Sequence, residues 1–211
     1  MAQTSDTSAR ILDAAEALFA RLGFAATTIK AIGTEAGVNP ALLYYYFPDK
    51  QQLYQAVLDR RVGDFARRAA NLPAEIAPLE GIRRLVKAQV AFMQSSPHVP
   101  RLLARELADH EAANARPVIR ELSTGTFRRL CELILAGQDD GTIRPDLDPA
   151  FTAISIISQT AWFFIAQPVV SGVMGYDGGL PAEEAAQFAE HAVRFAHSAV
   201  TVRSDRKREQ P

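Results

Sequence analysis

The residues most suggestive of chemistry lie in the segment AGVNPALLYYYFPDK, residues 36–50, where Tyr44, Tyr45 and Tyr46 stand in a row on a stretch that Pro48 stops after barely two turns. Successive helical residues are about 100° apart, so three adjacent rings fan across most of the circumference and cannot share one core. At least one phenol is left to meet something outside the protein's own interior. The other reactive side chains offer less. His98, His110, His191 and His197 are scattered without metal-ligand spacing, and the six-residue separation of the last two puts them on different helix faces. Cys131 is the single cysteine, which excludes an intrachain disulfide and a CxxC site. No GxSxG, phosphate-cradling glycine loop or paired-carboxylate constellation stands out. The inventory points to binding rather than catalysis, with neither cofactor nor metal expected.

The elements that must position the tyrosines are helices, because apolar residues recur at three- and four-residue spacing almost throughout. Ile11, Leu12, Ala15, Leu18 and Phe19 form one stripe of a helix from Ser8 to Leu22, with Thr7 or Ser8 at its start and Gly23 where a left-handed stop belongs. Thr28 precedes a two-turn helix that Gly37 ends, and Pro40 suits the first turn of the next. Two short helices around a glycine-containing turn are a helix-turn-helix, with the tyrosines on its second helix. Asp49 then caps a long helix running to Leu72, and a module boundary is placed near residue 52.

Further helices are predicted over Leu79–Gln94, Val99–His110 and Arg116–Ala136. The most apolar window, Ala150 to Val173, carries Thr152, Ser155, Ser158, Gln159 and a Pro168 break, so it reads as a buried helix and not as a membrane span. From Pro181, Ala185, Phe188, Ala192, Phe195, Ala199 and Val202 keep a three-four spacing on a face wider than one neighbour needs. That helix is expected to pack on its own chain and on a second copy, with Phe188, Ala192, Phe195 and Ala199 at the interface. The result is an all-α chain: a helix-turn-helix module over 1–52, a larger helical body over 53–202, and a charged tail over 203–211 predicted to be disordered.

Composition constrains the partners. The 211 residues carry a formal net charge of -1, so gross charge argues for neither nucleic acid nor membrane, and any electrostatic case must be local. A polar N-terminal stretch and a single cysteine lead to an expectation of cytoplasmic residence.

Arg10-Ile11-Leu12-Asp13-Ala14-Ala15 with Leu18-Phe19, Gly23-Phe24-Ala25-Ala26-Thr27-Thr28, Ile32, Ala36-Gly37-Val38 and Leu43-Tyr44-Tyr45-Tyr46-Phe47 with Lys50 and Leu53 resemble the DNA-binding region of TetR/AcrR-type transcriptional regulators. The resemblance implies a three-helix DNA-binding domain, a larger C-terminal domain for ligand binding, and homodimerisation through the last two long helices. It also implies a cytoplasmic repressor released from a palindromic operator by a small-molecule effector. Under it, Thr28, Tyr44 and Lys50 look like phosphate contacts, and Lys30 stands where a base- or phosphate-contacting cation is often found. Asn39, Pro40, Ala41 and Tyr46 occupy base-facing positions, and Tyr45 a backbone-facing one. Leu43 and Phe47 are then left to fill the module's core, so the tyrosines can offer hydroxyls to phosphates and flat surface to sugars and thymine methyls.

Two departures stand out. Gly33 replaces the usual alanine, at roughly 1 kcal/mol of helix propensity. Residues 1–50 also carry four basic side chains (Arg10, Arg21, Lys30, Lys50) against five acidic ones (Asp6, Asp13, Glu16, Glu35, Asp49), which predicts a shallow salt dependence for any DNA complex. In the larger body, Phe65, Phe92, Phe127, Cys131, Gln159, Trp162 and Phe163 are the candidates to line an apolar ligand cavity.

Overall fold

The computed structural model describes residues 2–110, 116–177 and 179–202, and over them the chain is all-α. The first three helices are α1 (Ala2–Ala26), α2 (Ile29–Ala36) and α3 (Pro40–Tyr46). α1 starts earlier than the predicted cap and continues past Gly23, which interrupts it with φ +83°. Next come α4 (Lys50–Leu58), a π-turn (Asp59–Gly63) and α5 (Asp64–Ala70), which together occupy the span read as one long helix. After α6 (Pro78–Ser95) and α7 (Val99–His110), a second π-turn (Ser123–Phe127) likewise joins α8 (Arg116–Leu122) to α9 (Arg128–Asp139). α10 (Pro149–Ile165), α11 (Gln167–Val173) and α12 (Ala182–Val200) complete the fold; the tail over 203–211 lies outside the described residues.

Local chemistry accounts for the element ends near the tyrosines. The Thr28 hydroxyl accepts from Ala31 N at 3.1 Å, Asn39 Oδ1 from Ala41 N at 2.8 Å, and Asp49 Oδ1 from Gln52 N at 2.7 Å, each satisfying an orphan donor of a first turn. Gly37 closes α2 with φ +64°, and Val38 N returns to Gly33 O at 2.8 Å. Gly33 is explained by the same turn: a Cβ there would lie 3.0 Å from Val38 O, so glycine gives the turn the room to fold back.

The apolar window from Ala150 to Val173 divides into α10 and α11, bent by 80° with Pro168 in the first turn of α11. Among the described residues no single helix is long and apolar enough to cross a membrane. The core forms two clusters. One runs without interruption from Ile11, Phe19, Ile32 and Leu43 through Leu53, Tyr54 and Val57 to Val90, Met93 and Leu102, so α4 is shared by the helix-turn-helix and the larger body rather than divided at residue 52. The other packs α6 against α9, α10 and α12 around Leu85, Leu130, Ile134, Ala153 and Ala192.

Candidate nucleic-acid interface

α3 is held at its root and bare at its tip. Leu43 is fully buried and Phe47 half-buried against the first cluster, while Tyr44 is 52% and Tyr45 78% exposed. Tyr46 is half-buried and meets the Tyr45 ring edge-on at 5.3 Å. Pro40, Ala41 and Leu42 are exposed at the start of α3, beside the exposed Thr28 and Lys30 of α2. The segment therefore presents two phenols, a row of small and apolar side chains and one ammonium to solvent.

The remaining cations near this face are committed inward. Arg10 Nη2 donates to Ala36 O at 2.5 Å, at the negative end of α2. Lys50 Nζ donates to Phe24 O at 2.9 Å and Thr27 O at 3.1 Å, and lies 4.3 Å from the centre of the Phe24 ring. Lys50, expected at a phosphate, thus spends two of its three N–H donors tying α4 to the end of α1. Asn39 likewise commits one lone pair of its side-chain oxygen to capping α3, while its amide N–H groups make no bond within the described residues that would hold them from outward chemistry.

The module is tied to the rest of the chain by buried charge. Glu16 of α1 is almost fully buried; its Oε2 accepts from Arg60 Nη2 at 2.6 Å and Arg61 Nε at 2.9 Å, and Arg60 also reaches Asp13 at 2.9 Å. Both arginines belong to the first π-turn. Two residues beyond Arg60, and again four beyond Arg61, Val62 and Phe65 form one wall of an apolar cavity of about 360 Å³. Phe92, Met93, Leu122 and Phe127 complete much of that cavity, and the Phe65 and Phe92 rings stack at 4.7 Å.

A third feature is an exposed apolar face. On α10, Phe151 (77% exposed), Ile154 and Trp162 (65%) recur at helical spacing, and on the adjacent α12 Phe195 is 57% exposed beside the exposed Ala199. Exposed large apolar side chains grouped on neighbouring helices mark a candidate interaction surface.

Residues 11–57 match the family described as bacterial regulatory proteins, tetR family, and residues 78–195 match the tetracyclin repressor-like C-terminal domain. The chain belongs to the TetR family. It is similar to the transcriptional repressor NicS of Pseudomonas putida, with 30% identity over 83% of this chain and 84% of NicS. It is also similar to the transcriptional regulator RutR of Escherichia coli, with 29% identity over 78% of this chain and 77% of RutR. In fold it resembles the transcriptional regulator FadR of Bacillus subtilis, solved in complex with stearoyl-CoA, with TM-score 0.71 and 18% identity over 90% of this chain and 97% of that one.

Within this TetR-family chain, the side chains expected to line one cavity are dispersed. Phe65, Phe92 and Phe127 do line it. Trp162 does not: it faces outward on α10. Phe163 stacks flat on Phe188 at 3.6 Å and so joins α10 to α12. Cys131 donates its S–H to Pro149 O at 3.7 Å, and burial, with Asp148 and Glu132 nearby, pushes its thiol above the ordinary value; neither it nor the half-buried Gln159 reaches the cavity. On α12, Ala192 has no exposed surface and packs in the second cluster, so it has nothing to offer a second chain. Sequence reasoning passed over Glu16 and Thr126. The signal for the latter was Ser123-Thr124-Gly125-Thr126, a run of poor helix formers inside a helical span.

Proposed function

We propose that this TetR-family regulator is a homodimeric repressor that reads a palindromic operator with α3 and Lys30, and leaves it when a small, largely apolar ligand fills the cavity. The observation that carries this reading is the reach of one short segment, residues 60–65. Its arginines hold Glu16 of α1, and its Val62 and Phe65 form the cavity wall. A ligand that displaces the wall displaces the grip on the DNA-binding module. The effect is a population shift: the ligand favours the arrangement in which the two recognition helices no longer match successive major grooves, and DNA weakens ligand binding by the same factor.

Base reading on this account uses few charges. α3 carries no Arg or Lys, so Lys30 is the candidate guanine contact, Ala41 and Leu42 suit thymine methyls, and DNA shape contributes the remainder. Homodimerisation uses the α10 and α12 face. Replacing Trp162 and Phe195 together by glutamate adds two charges per protomer to a surface that is already solvent-facing in the single chain, so each protomer keeps its fold. The double variant is expected to sediment as a monomer and to lose operator affinity by about 100-fold or more, because each half-site must then bind alone. A monomeric variant that holds the operator as tightly as the wild type would overturn the dimeric reading.

A further inference from the structure

The cavity walled by the two π-turns and by α5, α6, α7, α8 and α10 carries no ionisable side chain among its described lining residues. Its polar groups are Gln89, Ser123 and Thr126, set among Phe65, Phe92 and Phe127. The Gln89 amide nitrogen already donates to Ile157 O at 3.2 Å. Thr126 is different: the residue is 3% exposed, and its hydroxyl is buried with no hydrogen-bond partner. The hydroxyls of Thr27, Thr34, Thr124, Thr152 and Thr160 all donate to the carbonyl four residues earlier, whereas that of Thr126 does not; Ser171 of α11 also has a buried hydroxyl without a partner, but it does not line this cavity. A buried hydroxyl left unpaired in the protein alone is accounted for if a ligand supplies the partner.

We infer that the effector, on the reading of this cavity given above, is an uncharged molecule with an apolar body and one hydroxyl or carbonyl oxygen, which Thr126 holds. A charged group brought into this lining would give up its hydration and find no counter-ion. The neighbouring groove of about 570 Å³ does carry Arg60, Arg61 and Arg84, and it shares the Phe65 and Phe92 wall. Those guanidinium charges are already paired with Glu16, Asp13 and Glu80, so an anionic head group there would compete with these carboxylates even though Arg60 Nε is a buried donor without a partner. The Thr126 hydroxyl therefore sets the orientation of the bound ligand, and the stacked Phe65 and Phe92 rings hold its apolar body.

Three probes of one skeleton test this by equilibrium dialysis against the full chain: biphenyl, 4-hydroxybiphenyl and biphenyl-4-carboxylate. The hydroxylated probe is expected to bind most tightly, and the carboxylate at least about 10-fold more weakly than biphenyl. Thr126→Val keeps the volume and removes the unpaired hydroxyl, so the fold is retained, as a thermal melt verifies. It is expected to weaken 4-hydroxybiphenyl by about 5- to 10-fold while leaving biphenyl within about twofold. Thr126→Ser is expected to preserve the preference for the hydroxylated probe. Equal binding of the carboxylate, a hydroxyl preference that survives Thr126→Val, or no binding by any of the three would overturn the inference. Release of an operator duplex is measured separately. Probes that bind with the Thr126 signature yet never release DNA would leave the ligand class standing and remove the effector role.

Discussion

A chain in which Tyr44 and Tyr45 are both replaced by alanine is expected to fold as the wild type does and to lose operator affinity by about 100-fold or more. The two halves of this prediction rest on different facts. Both side chains are mostly exposed, and the helix that carries them is fixed by Leu43, by the Asn39 cap and by Pro40, so truncating them changes stability by no more than about 0.5 kcal/mol, as is usual for surface sites. Each phenol that meets a phosphate contributes a net hydrogen bond of about 1 kcal/mol plus ring contact with the sugar, and a dimer makes four such contacts. Fluorescence anisotropy of a labelled operator, with thermal melts alongside, separates the two effects. Unchanged affinity in the folded variant would mean that α3 meets DNA by another face.

The second large effect concerns the crossing that walls the cavity. Gly125→Val is expected to destabilise the protein by about 3 kcal/mol or more, at the upper end of what overpacking causes. A Cβ at residue 125 would lie 2.5 Å from Ala66 O and 3.1 Å from the Ala66 carbonyl carbon. Those are backbone atoms that cannot rotate aside, so α5 and the second π-turn must part. Gly172 of α11 is the control: nothing lies within 4 Å of its position, and Gly172→Ala should be neutral or stabilising by up to roughly 1 kcal/mol. Urea denaturation compares the two. A Gly125→Val midpoint close to the wild type would show that the crossing yields more easily than close packing allows.

The helix-turn-helix was legible in the sequence because it is built from local chemistry. Thr28, Gly37, Asn39, Pro40 and Asp49 act on residues within four positions of themselves, so their types alone announce where helices begin and end. Lys50 was not legible in the same way. Its partners lie 23 and 26 residues earlier, and only the folded module brings those carbonyls to the ammonium. The two π-turns were missed for a different reason: one extra residue per turn leaves the amphipathic pattern on either side intact, so each long helix read as uninterrupted, and only the second carried a local signal, the poor helix formers Ser123-Thr124-Gly125-Thr126. Trp162 was read as lining the cavity because Trp162, Phe163 and Phe164 are three bulky aromatics in sequence that cannot share one face, and periodicity cannot tell which of them is covered. On α12 the stripe itself was sound. Ala185, Ala192, Ala196 and Val200 turn toward the protomer's own core, however, and Phe195 and Ala199 turn away from it, a division that alternating small residues do not reveal.

The most direct test of the central claim is selection of bound duplexes from a random pool by the purified chain, with mass spectrometry used to establish that no ligand has co-purified. The account predicts enrichment of an inverted repeat whose half-sites lie about one helical turn apart, or a multiple of that. It also predicts that the enrichment disappears when Tyr44 and Tyr45 are replaced by alanine. A ligand-free protein that enriches no sequence at low salt, where phosphate attraction is strongest, would contradict it.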